Sequence, residues 1–234
     1  WCWGFEAYGQ LGNASAASPQ TIPLQVDDGG ASWAQLTAGS YHSCGIQSDG
    51  SAWCWGTNIA GQMGTGGFPD FSILPPTRVD DSGASWAKIA SGTMHSCGIQ
   101  SDGSAWCWGS DAYGQMATGS TGGAELSPNR ISDGGGKVWI DIDVGESHSC
   151  GIQSDGSAWC WGDDSYEQLG NGAVTGDQTL PVQVSPGSSW LSLSLSPAGR
   201  EMSEYSHSCG IKDNGTAWCW GDNNHGQLGN GITG

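Results

Sequence analysis

A chain of 234 residues with 41 Gly, 14 Trp and 9 Cys but only 12% charged residues points to many short strands joined by tight turns, and away from helices or disorder. Its basic residues, Arg78, Lys88, Arg130, Lys137, Arg200 and Lys212, stand against 23 acidic ones, and the net charge of −17 repels a phosphate backbone and an anionic membrane surface alike. With no apolar run near the roughly 20 residues of a membrane-spanning helix, the expectation is a protein partner, with no nucleic acid and no membrane insertion.

The chain opens on Trp1-Cys2-Trp3-Gly4 without an initiator Met or a signal peptide, a start that reads as processing or truncation. The same string returns at Trp53, Trp106, Trp159 and Trp218, at spacings of 52, 53, 53 and 59 residues. A second string, His-Ser-Cys-Gly-Ile, recurs at His42, His95, His148 and His207. Such a period is too long for a leucine-rich or ankyrin unit and suits a four-stranded propeller blade.

Each unit follows one order. A Gln loop comes first, as in Tyr8-Gly9-Gln10-Leu11-Gly12. A Pro-containing strand then ends near Val26, Val79, Ile131 or Val184, and the next strand opens with Trp33, Trp86, Trp139 or Trp190. The unit closes with a hairpin, Ser43-Cys44-Gly45-Ile46-Gln47, a turn at Ser48-Asp49-Gly50, and Ser51-Ala52-Trp53-Cys54-Trp55. Asp-Gly between two β-prone runs is a strong hairpin signal, and Asn214-Gly215 serves the same turn in the last copy. The protein therefore reads as all-β, a β-propeller of about 53-residue blades, with repeat units at about 5–56, 57–109, 110–162 and 163–221. Residues 1–4 form a leading strand and 222–234 a trailing loop, so the whole is expected to be part of a larger ring or assembly.

These strings resemble the regulator of chromosome condensation repeat, whose pattern runs Ala-Gly-x-x-His-Ser, then Asp-Gly-x-Val-x-x-Trp-Gly, then Gly-Gln-Leu-Gly. The resemblance implies a β-propeller, usually seven-bladed, with varied protein-binding functions. Seven blades at this period would need about 370 residues. Departures are Ala52 and its equivalents in place of Val, Cys at two strand positions, Ala117 where the Gln loop ends in Gly, and Glu167 for that loop's first Gly.

Apart from Cys2, the cysteines form equally spaced pairs: Cys44/Cys54, Cys97/Cys107, Cys150/Cys160 and Cys209/Cys219. A three-residue turn at Ser48-Asp49-Gly50 sets Cys44 opposite Cys54, at a cross-strand separation of about 4.5 Å that a disulfide can span. Four hairpin disulfides imply an oxidising compartment. Zinc is the rival, because His42 and Cys44 share a face with Cys54, but no Cys-x-x-Cys knuckle and no fourth ligand accompany them. Cys2 is left unpaired or intermolecular, its partner strand belonging to missing sequence or to another polypeptide. Read that way, copies could follow one another head to tail into a filament.

The other candidates are modest. All 14 Trp fit the repeat, so light sensing through Trp clusters, which the resemblance also raises, has no surplus indole to use. His42 cannot activate Ser43, since strand neighbours face opposite ways, and a buried His bonded to backbone or turn groups is expected. Acidic pairs at Asp27-Asp28, Asp80-Asp81, Asp141-x-Asp143 and Asp163-Asp164 read as solvated loop charge, with calcium the alternative. Asn13 and Asn214 begin glycosylation acceptor patterns. The stretch from Trp190 to His207 is eight residues longer than its equivalents, 17 against nine. Within it, Arg200, Glu201, Glu204 and Tyr205 form a candidate binding loop. The sequence thus predicts a non-catalytic, secreted protein-interaction or structural module without cofactor or metal. An inhibitor of a secreted enzyme is the alternative. A guanine-nucleotide exchange factor follows only from the resemblance, and no segment matches the inserted wedge which that activity uses.

Overall fold

Short β-prone runs separated by Gly-containing turns can satisfy their backbone only by pairing with one another. The computed structural model describes residues 1–13, 19–67, 70–172, 176–197 and 206–233, and all regular elements among them are strands. The first two, β1 (Cys2–Gly4) and β2 (Gln20–Leu24), pair antiparallel. Three four-stranded antiparallel sheets follow. The first joins β3 (Trp33–Ala38), β4 (His42–Gln47), β5 (Ala52–Asn58) and β6 (Asp70–Arg78). The second joins β7 (Trp86–Ser91), β8 (His95–Gln100), β9 (Ala105–Ser110) and β10 (Ala124–Arg130). The third joins β11 (Trp139–Val144), β12 (His148–Gln153), β13 (Ala158–Gly162) and β14 (Gln178–Gln183). A last sheet contains β15 (Trp190–Leu195), β16 (His207–Lys212) and β17 (Ala217–Gly221).

Inner strands touch in sequence, β3 against β7, β7 against β11 and β11 against β15, so the sheets stand side by side as blades of a β-propeller. Blade and repeat have the same period but different phase. Each complete sheet starts at the strand-opening Trp of one unit and ends with the Pro-containing strand of the next, as β3 to β6 do. A covalent link thereby crosses every blade boundary.

The hairpin register follows from its turn. Gly50 has φ 85°, a conformation that costs a Cβ-bearing residue energy. The Asp49 carboxylate accepts the Ser51 amide at 2.9 Å and the Ser51 hydroxyl at 2.6 Å. Ile46 then faces Ala52, and Cys44 faces Cys54. On the other side, a Cβ on Gly98 would lie 2.7 Å from Cζ3 of Trp86. The Gly of His-Ser-Cys-Gly-Ile is what lets the strand-opening indole lie flat on the hairpin.

The core sits between blades, not within one sheet. The cysteine face of the first blade, with Cys44, Cys54, Ile46 and Met63, packs against Trp86, Ile89 and Trp108 of the second. The same arrangement recurs at the next two boundaries. Ile89 and Ile142 are 1% exposed, and each such residue contributes about 1.5–3 kcal/mol by leaving water.

Candidate functional site at the blade junctions

The disulfides lie inside these interfaces. Cys44–Cys54, Cys97–Cys107 and Cys150–Cys160 each have Cα atoms 4.0 Å apart, and Cys209–Cys219 has 4.1 Å. The first six of these cysteines are wholly buried, whereas Cys209 and Cys219 are half-buried. Each bond closes a short loop and contributes about 2–3 kcal/mol on a loop-entropy account. Bonding the sulfurs to each other takes away two of the three soft donors that zinc would need and leaves His42 alone. Among the described residues no group of three His, Cys, Asp or Glu side chains is arranged to hold a metal ion. Cys2 is a free, half-buried thiol whose pKa burial raises.

Each junction also carries a polar relay that sequence reasoning missed. His42 Nε2 lies 2.8 Å from Ser96 Oγ in the following blade, and His95–Ser149 and His148–Ser208 repeat the contact at the same distance. Ser96 in turn donates to the backbone oxygen of Gln62 at 3.0 Å, and Trp108 Nε1 donates to the same oxygen at 2.9 Å. The buried histidines therefore bond to a serine of the next blade, a partner that the sequence reading did not name. The missed signal was the pairing of His in one unit with the Ser of the next, which needs the blade-to-blade register to be seen.

A His 2.8 Å from a Ser has the spacing of a base and nucleophile, but the protons run the other way. Because Ser96 gives its hydrogen to Gln62 O, His42 Nε2 must carry one and donate it. Burial holds the His42 and His95 pKa values at about 3 and that of His148 at about 4. These imidazoles are neutral donors enclosed in the protein, and they have no proton-accepting nitrogen turned toward the serine.

The Gln loops that supply the acceptor oxygens are self-supporting. The Gln62 carboxamide oxygen accepts the Ala60 amide at 2.8 Å, and Asn58 Oδ1 accepts the Met63 amide at 3.0 Å. Asp111 and Asp164 play the part of Asn58 in later units, at 3.0 and 3.1 Å. Acidic pairs elsewhere are similarly engaged. Asp28, Asp81 and Asp133 accept the indole hydrogens of Trp33, Trp86 and Trp139. Asp141 is ion-paired with Lys88, and Asp143 accepts the Leu195 amide at 2.8 Å across a blade boundary. Burial raises the Asp143 pKa, partly offset by the Leu195 and Val144 amides and by Lys88.

Asn214 lies exposed at the β16–β17 turn, where its side-chain oxygen accepts the Thr216 hydroxyl at 2.7 Å. Asn13 is half-buried, and the residues completing its acceptor pattern fall outside the described ones. Arg200, Glu201, Glu204 and Tyr205, the candidate binding loop, also lie outside the described residues.

Comparison with known proteins agrees with this architecture. A family model described as the regulator of chromosome condensation (RCC1) repeat matches residues 1–46, 49–99, 102–152 and 155–194, and a second model of that description matches 33–62, 86–115, 139–168 and 205–227. The ultraviolet-B receptor UVR8 of Arabidopsis thaliana is 26% identical over 230 residues, covering 98% of this chain and 50% of the receptor. The crystal structure of human WBSCR16 superposes with a TM-score of 0.80 at 21% identity, covering 97% of this chain and 58% of that one. Prp20p of Saccharomyces cerevisiae, described with its binding properties to Gsp1p and histones, gives 0.78 at 22% identity, with coverages of 98% and 53%. The chain spans half or less of the length of the curated relatives it matches. With model matches along most of its length, the chain belongs to the regulator of chromosome condensation repeat family.

Proposed function

We infer that this protein is a non-catalytic protein-interaction module working in an oxidising, extracellular setting. The observation that carries the reading is the repeated disulfide enclosed at the blade junctions, with Cys44, Cys54, Cys97, Cys107, Cys150 and Cys160 all at 0% exposure. A reducing cytosol keeps such thiols apart, while secreted proteins use them to stiffen their scaffolds. The His and Ser side chains that could serve chemistry are spent on holding blades together. The family offers protein binding as its common theme, as Prp20p does with Gsp1p and histones. A net charge of −17 favours cationic protein surfaces over nucleic acid.

Thiol counting on the native protein tests the reading. Denatured without reductant, it should expose one reactive thiol, Cys2, or none if Cys2 is bonded to another polypeptide. Eight or nine reactive thiols would refute the extracellular assignment, and acceleration of nucleotide release from a small GTPase by the intact protein would favour the exchange-factor reading instead.

A further inference from the structure

The strand-opening Trp of the first three blades ends its indole hydrogen on a carboxylate. Trp33 donates to Asp28 at 2.5 Å, Trp86 to Asp81 at 2.7 Å and Trp139 to Asp133 at 3.0 Å. The second oxygen of each carboxylate takes a loop amide, from Gly30, Gly83 or Gly135, each at 2.8 Å. The bond matters electrostatically, since Trp33 is the leading cause that lowers the Asp28 pKa.

The fourth blade breaks this rule in a directed way. Asp28, Asp81 and Asp133 stand two residues after Val26, Val79 and Ile131, but two residues after Val184 stands Pro186. Trp190 is 3% exposed, and its Nε1 has no acceptor among the described residues. At the end of the second strand, where the other blades have Gln47, Gln100 and Gln153, this one has Lys212. The Lys212 ammonium lies 5.1 Å from the Trp190 ring and 4.3 Å from that of Trp218. Asn214 also replaces the turn residues Asp49, Asp102 and Asp155, leaving Asp213 as the turn's carboxylate. An anion has been removed beside the indole and a cation added.

We propose that the fourth blade binds a carboxylate supplied from outside the protein, with Trp190 Nε1–H and Lys212 Nζ as its donors. The ligand carboxylate takes the place that Asp28, Asp81 and Asp133 fill in their own blades. Entry is through the 185–189 loop, whose residues Ser185, Pro186 and Gly187 are exposed. A backbone bond within that loop runs from Ser188 N to Ser185 O at 3.1 Å, as one does from Ala84 N to Asp81 O in the second blade. Acidic side chains, the C-terminal carboxylate of a peptide and uronic acids share the required chemistry.

Indole proton–nitrogen spectra of the full-length protein test this directly. Acetate, a capped glutamate peptide and glucuronate are titrated in turn, with sodium chloride at matched ionic strength as the control. The Trp190 indole resonance should move saturably downfield while those of Trp33, Trp86 and Trp139 stay in place. The probe that saturates at the lowest concentration identifies the source of the carboxylate. Pro186→Asp should supply the acceptor internally and abolish the titration, and Lys212→Gln should weaken it about tenfold, the worth of one charge-assisted hydrogen bond. Absence of a saturable shift with all three probes, or an unchanged titration in a folded Pro186→Asp or Lys212→Gln protein, would overturn the proposal.

Discussion

His42 donates through Nε2 to Ser96 Oγ at 2.8 Å, from one blade into the next. The bond is buried, and its far end continues to the Gln62 carbonyl, so it ties three separated segments at one point. Removing the serine oxygen leaves an imidazole hydrogen in the interior without a partner. Ser149→Ala, which does this to His95, should therefore lower stability by about 1–3 kcal/mol. The check is a shift of the urea midpoint at constant m-value. His225→Ala, in an exposed Gln-loop position, should change it by less than about 0.5 kcal/mol.

The same histidines predict an acid-sensitive fold. Burial holds His42 and His95 at about 3 and His148 at about 4, against about 6.5 in an unfolded polypeptide. Below about pH 6.5 the unfolded state binds protons that the folded state refuses. Stability is then full above about pH 6.5 and falls as pH drops toward about 4, by about 1.4 kcal/mol per unit for each histidine. Asp143 and Glu146, whose pKa values burial raises, oppose the fall, because they take up protons earlier folded than unfolded. Urea titrations between about pH 7 and about pH 4.5 should show the decline, and His95→Gln, which keeps a donor but cannot titrate, should flatten it by about a third. A flat profile in the parent protein would contradict the burial of these groups.

Much of this was legible in the sequence, and the reason is periodicity. Asp49-Gly50 fixes the hairpin, the hairpin fixes the register, and the register sets Cys44 opposite Cys54, so each inference needed only near neighbours in sequence. The His42–Ser96 bond spans 54 positions and depends on how one blade is rotated against the next, which no local pattern encodes. The Asp–Trp pairs were hidden for a different reason. Asp28 and Trp33 are five apart, while Asp133 and Trp139 are six apart, and such drift in a loop hides a repeated contact behind an apparently featureless acidic stretch.

Backbone strain at two departures from the repeat gives a third prediction. Glu167 and Ala117 hold φ of 60° and 53° where sister loops use Gly9 at 75° and Gly12 at 66°. The exposed Glu167 side group gains nothing from packing in that conformation, so Glu167→Gly should stabilise the protein by up to about 1 kcal/mol. The reverse change, Gly64→Ala, would add a Cβ 2.7 Å from the Trp108 indole at φ 65°, and it should cost about 1–3 kcal/mol. Thermal melts of both variants decide the matter, and equal midpoints would mean that the loop relaxes freely.

The order in which the disulfides yield to reductant is the last prediction. Exchange needs a thiolate to reach a sulfur in line, so an enclosed bond reacts only when its surroundings open. Cys44–Cys54, Cys97–Cys107 and Cys150–Cys160 are sealed by the following blade, and Ile46, Ile99 and Ile152 beside them are at most 3% exposed. Cys209–Cys219 is half-buried, and Ile211, the equivalent isoleucine, is 43% exposed. Limited dithiothreitol at neutral pH, followed by alkylation and peptide mapping, should therefore label Cys209 and Cys219 well before any other pair. Cys2 should react without reductant, but more slowly than a free peptide thiol, because burial raises its pKa and leaves less thiolate at neutral pH. Simultaneous labelling of all four pairs would show that the blades open together as a single cooperative unit, and that the enclosure of the first three confers no separate protection.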